Sequence, residues 1–108
     1  METTRDEKVY DAIKKVAAEF LQRESNHMSL ITVTDVKVSK DGKLATILIT
    51  VLPVHKEPEA IAFLKRMRRE FRDYFMSKIR MGRIPTFDFD IDRGEKHRQR
   101  IDELTVSN

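Results

Sequence analysis

Apolar residues recur along the chain first at helical and then at strand intervals, and each change of interval marks an element boundary. Thr4-Arg5-Asp6-Glu7 has the spacing of a capping box, and Val9, Tyr10, Ile13, Val16, Ala17, Phe20 and Leu21 follow at helical steps. This predicts a helix of about five turns, from near residue 5 to Ser25-Asn26. From Leu30 to Val38 β-branched residues dominate, and Ser39-Lys40-Asp41-Gly42-Lys43 then supplies a turn in which glycine takes a positive φ. Leu44 to Leu52 is apolar on both faces until Pro53 removes a backbone donor. These two strands form a hairpin.

Glu57-Pro58-Glu59 places proline and two carboxylates where a helix begins, and Ala60, Phe63, Leu64, Met67, Phe71, Tyr74 and Phe75 continue an apolar stripe. The pattern predicts a single second helix, the longest element, with its phase broken near Ser77. Gly82 and Pro85 bracket a loop, and Thr86-Phe87-Asp88-Phe89-Asp90-Ile91-Asp92 alternates as a half-exposed strand, phenylalanines and isoleucine inward and aspartates outward. A short polar stretch from Arg93 to Leu104, anchored by Ile101 and Leu104, is expected to add a helical turn or two. The expected architecture is a single α+β domain over 1–104 with a frayed tail at 105–108. Its helices cover one face of a three-stranded mixed sheet.

Composition narrows the function classes. Cysteine is absent, which removes disulfides, thiolate metal sites and thiol nucleophiles. No apolar stretch reaches membrane-spanning length, and the acidic start has no secretory signal pattern, so a soluble cytoplasmic protein is expected. The formal net charge is only +3, but it is unevenly distributed. Between Lys65 and Arg83 lie eight basic residues and two acidic ones, a local charge of +6 that leaves −3 for the rest of the chain.

On a continuous helix Lys65, Arg68, Arg69 and Arg72 stand at i, i+3, i+4 and i+7 and form one cationic ridge, with Arg66 beside it and Lys78, Arg80 and Arg83 extending it. Such a ridge suits nucleic-acid phosphates. A solvated helix face, or a dock for an acidic protein partner, would show the same charges. Base reading has less support: Phe87 and Phe89 alternate inward, tryptophan is absent, and no G-x-x-G loop occurs. Asp88, Asp90, Asp92 and Glu95 only approximate a calcium loop, since the glycine falls late and Gln99 occupies the twelfth position. His27, His55 and His97 are scattered, without a phosphate loop or an elbow serine. No metal, cofactor, small-molecule substrate or catalytic centre is expected.

Several segments taken together resemble bacterial ribosome-binding factor A. They are Ile31 through Asp41, Ala45-Thr46-Ile47, Phe71-Arg72, Arg80 five residues before Pro85, and Pro85-x-Phe87-x-Phe89-Asp90-x-Asp92. The resemblance implies a type II KH-like fold of order helix-strand-strand-helix-helix-strand. It also implies a monomeric, noncatalytic maturation factor that binds the small (30S) ribosomal subunit and its 16S rRNA, aids processing of the rRNA 5′ end and matters for growth in the cold. The RNA-binding residues expected are Lys65, Arg66, Arg68, Arg69, Arg72, Lys78, Arg80 and Arg83, with Ser39 and Lys40 as a secondary contact. Where the family has a small residue, any residue and glycine to kink the long helix, this chain has Met67-Arg68-Arg69. Without that glycine the helix is expected to run straight or to break later, near Ser77.

Overall fold

The segment apolar on both faces takes the centre of the sheet. In a computed structural model describing residues 5–24 and 29–94, strand β2 (Leu44–Leu52) lies between β1 (Leu30–Val38) and β3 (Thr86–Ile91). β1 and β2 pair antiparallel, and β2 and β3 pair parallel, so the sheet is mixed. Between β2 and β3 the chain forms a 3-10 turn at Val54–Lys56 and two helices, α2 (Glu57–Arg66) and α3 (Arg68–Lys78). Helix α1 (Arg5–Glu24) precedes the sheet and is the longest element at 20 residues. The order is that of a type II KH-like domain. The capping residue Thr4, the stretch from 95 to 104 and the tail at 105–108 fall outside the described residues.

Helices occupy one face. Ala45, Ile47, Ile49 and Val51 of β2 meet Ile13, Val16, Ala17 and Phe20 of α1, Leu64 of α2 and Phe71 and Phe75 of α3 in one apolar core. Phe71 is its aromatic hub, with ring centroids 5.3 Å from Phe20, 4.8 Å from Phe87 and 5.7 Å from Phe89. Among the described residues no helix covers the sheet's other face, which carries Lys37, Thr46, Leu48 and Asp90.

The second helix departs from expectation. It is two helices hinged at Met67, not one, and α3 ends at Lys78 without an earlier break at Ser77. Met67 has φ −91° and ψ 6°, a conformation open to any L-residue, so the hinge needs no glycine. Its N–H is shared between the carbonyls of Phe63 and Leu64, and its own carbonyl accepts from Phe71 N–H at 2.8 Å. One residue therefore closes α2 and opens α3.

A β-bulge at Thr34 shifts the β1 register between Val33 and Asp35. Asp35 accepts a 2.6 Å hydrogen bond from the Tyr10 hydroxyl, tying α1 to the edge strand. That bond, with burial and the Asp35 charge, pushes the Tyr10 pKa up to about 12. A raised pKa favours the folded state while both forms keep the proton, so this contribution is full below the ordinary tyrosine value of about 10 and is lost as pH rises towards 12. Tyr10→Phe is expected to cost about 1 kcal/mol at neutral pH, because solvent access keeps the bond at the weak end of the range. It should also flatten the alkaline limb of stability, which thermal melts in a pH series would show.

The aspartate row of β3 also differs from simple alternation. Asp90 is exposed, but Asp92, just beyond the strand, is buried and accepts a hydrogen bond from the Thr34 hydroxyl across the open face. Asp88 turns over the sheet edge towards α2 and α3, where it meets two of the expected RNA-binding residues.

Candidate nucleic-acid interface

All eight predicted cations, Lys65, Arg66, Arg68, Arg69, Arg72, Lys78, Arg80 and Arg83, are exposed, but they do not form one ridge. The hinge at Met67, the Tyr74 ring and the hairpin tip sort seven of them into three groups, with Arg80 outside these.

The first group surrounds the hinge. Arg68 Nε donates to the Lys65 carbonyl at 3.0 Å, so the guanidinium satisfies one of the carbonyls left open at the end of α2. Lys65 Nζ lies 2.9 Å from Asp88 Oδ1, and Arg68 Nη1 lies 3.5 Å from the same oxygen. Lys65 and Arg68 are thus partly committed to holding the hinge on β3. Arg66, Arg69 and Arg72 make no ion pair among the described residues. On α3, Arg68, Arg72 and Met76 form a row at four-residue spacing with Arg69 alongside, and Met76 is half exposed within it. Glu70 and Asp73 line a shallow depression beside Phe20 and Arg23 of α1 and bridge neither Arg69 nor Arg72.

Desolvation at the sheet edge opposes ionisation of Asp88, but the hydrogen bond from Lys65, the Phe89 N–H and the two nearby positive charges outweigh it and lower its pKa. A depressed carboxylate contributes stability above its unfolded pKa of about 3.9 and loses it as pH falls through the folded value. Asp88→Asn is therefore expected to lower stability modestly at neutral pH and to match the unaltered chain as pH falls below about 4, a convergence that thermal melts in a pH series resolve.

Lys78 belongs to a second group. Its ammonium sits over the Tyr74 ring at 5.4 Å, and the Arg23 guanidinium lies at the same distance from that ring. Lys78 therefore points to the α1 side, away from the Arg72 row. Arg23 is the cation that helical spacing in one element could not find, because the aromatic ring that gathers it lies on another helix.

The third group lies at the hairpin tip. Arg83 comes close enough to Asp41 for its charge to act on that carboxylate, and it lines one groove with Lys40 and Ser39. Asp41 is held below the usual carboxylate range, first by the Ser39 hydroxyl and then by the Lys43 N–H. Ser39 Oγ also accepts from Leu44 N–H at 3.0 Å, so this side chain builds the turn and its hydroxyl is already engaged. Gly42 closes the turn at φ 73°, as the Asp-Gly pair requires. Lys40 is exposed and available.

Among the described residues there is no group of three His, Cys, Asp or Glu arranged to hold a metal ion, and no helix is long and apolar enough to cross a membrane. His55 is exposed in the 3-10 turn, whereas His27, His97 and Glu95 fall outside the described residues.

Residues 5–105 match the family model for ribosome-binding factor A. The chain belongs to the ribosome-binding factor A family. It is 29% identical over 107 residues to ribosome-binding factor A of Brevibacillus brevis, covering 96% of this chain and 88% of that protein. The crystal structure of ribosome-binding factor A from Thermus thermophilus superposes with a TM-score of 0.71 at 26% identity, covering 80% of this chain and 94% of that one. A homology model of Thermus thermophilus ribosome-binding factor A fitted into a cryo-EM map of a 30S complex gives 0.68 at 27% identity, covering 78% and 91%. In the present chain Met67 forms the hinge between α2 and α3, and Arg68 Nε caps the Lys65 carbonyl beside it.

Proposed function

We propose that this chain is a noncatalytic assembly factor that binds the small ribosomal subunit through its RNA and aids maturation of the 16S rRNA 5′ end, with most effect in the cold. The observation that carries this reading is the cluster of exposed arginines Arg66, Arg69 and Arg72 around the Met67 hinge, without ion-pair partners among the described residues. It is supported by the family and by the 30S complex of the Thermus relative. Cations of this kind neutralise phosphates and release counterions, which favours RNA strongly at low salt without requiring base contacts. Arg69 and Arg72 lie exposed on the first two turns of α3.

A factor of this kind acts by differential binding. It stabilises whichever rRNA arrangement places phosphates along the hinge and is displaced when the mature arrangement removes them. Depletion of the protein, with the 5′ ends of small-subunit rRNA mapped at normal and low growth temperature, tests the maturation role. Extended 5′ ends that accumulate chiefly in the cold are expected; normal ends at both temperatures would overturn it.

A further inference from the structure

The hairpin tip carries a groove that the hinge cluster does not use. It has a volume of about 440 Å³ and lies between the start of α1, the β1–β2 turn and the loop after α3. Val9, Val38, Met81 and Pro85 form its apolar lining, and Lys40 and Arg83 supply its charge. Val38 is 38% exposed although it sits on a strand, so part of this lining is open to solvent. Among the described residues the only acid in the lining is Asp41, which is turned into the hairpin by the Ser39 hydroxyl and the Lys43 N–H.

We propose that this groove is a subsite for one unpaired nucleotide, a deepening that rests on the RNA reading above. An apolar slot with two cations matches the two halves of a nucleotide. The base lies against Met81, whose polarisable thioether packs well on aromatic rings, and against the Val38 and Pro85 side chains. Its phosphate faces Lys40 and Arg83. A paired nucleotide cannot enter, because its base is held in the stack. The hinge cluster therefore supplies affinity for RNA phosphates, and the groove supplies preference for RNA in which a nucleotide beside the helix is free. Arg80 is exposed in the loop between α3 and the groove residues Met81 and Arg83.

The test uses two RNA hairpins that differ only in one unpaired nucleotide, with the full chain labelled at its methionine methyls. Met67 and Met76 report the hinge surface and Met81 reports the groove. Both RNAs are expected to shift Met67 and Met76, only the RNA with the unpaired nucleotide to shift Met81, and that RNA to bind about tenfold more tightly. Val38→Gln, at an exposed position in the apolar wall, should abolish the preference and leave hairpin binding in place, whereas Lys40→Glu and Arg83→Glu should weaken both RNAs and the one with the unpaired nucleotide more. Binding of both RNAs with equal affinity and a stationary Met81 would overturn the groove proposal alone. Absence of binding by either RNA would overturn the RNA reading with it, and an equal Met81 shift on adding an acidic peptide would assign the groove to protein.

Discussion

The double variant Arg69→Glu/Arg72→Glu is expected to bind small-subunit RNA at least about 100-fold more weakly than the unaltered chain, with the slope of log affinity against log salt reduced by about 2. Each arginine lost removes one phosphate contact, and each glutamate gained repels a neighbouring phosphate. Both side chains are exposed and unbridged among the described residues, so the melting temperature should change little. Reversal of Arg68 would be a poorer test. Its guanidinium caps α2 through the Lys65 carbonyl and shares Asp88, so its loss would disturb the hinge together with the charge. Titrations at several salt concentrations, with thermal melts of the same samples, separate the two effects. Unchanged affinity would remove the hinge cluster from the interface.

Phe71→Ala is expected to have the largest effect on stability. The side chain is fully buried, and its ring meets those of Phe20, Phe75, Phe87 and Phe89, which belong to α1, α3 and β3. Truncation leaves a cavity where three elements join and should cost about 3–5 kcal/mol, much of the stability of a domain this size. The melting temperature should fall by about 15 °C or more. Arg72, the next residue, would be lost from its place only as the helix itself melts. RNA affinity measured well below the lowered melting point should therefore stay near that of the unaltered chain, while affinity at the growth temperature drops. A melting temperature within a few degrees of the original would show that the core relaxes around the gap.

The strands were legible because local chemistry determines them. β1 and β2 run over the segments that their β-branched content and the Asp41-Gly42 turn define, and β2 is central because it is apolar on both faces. The hinge was legible only through the family resemblance, which places a kink at Met67-Arg68-Arg69, and the missing glycine argued against it there. A break at φ −91° needs no special residue, and the apolar stripe continues through Met67, so periodicity carries no trace of it. The pairing of Lys65 and Arg68 with Asp88 joins residues 23 and 20 positions apart and depends on β3 lying next to α2 in the folded sheet. Alternation correctly placed Phe87 and Phe89 inward but could not show that Asp92 would find Thr34 at a bulge. The charge strip was visible as composition; its division among the hinge, Tyr74 and the hairpin tip appears only when the elements are assembled.

Sedimentation of a tagged chain from cell lysate on a gradient tests the central claim most directly. The unaltered protein is expected to travel with free small subunits, and Arg69→Glu/Arg72→Glu to remain at the top of the gradient. An unaltered protein that stays at the top, or a double variant that still travels with the small subunits, would contradict it.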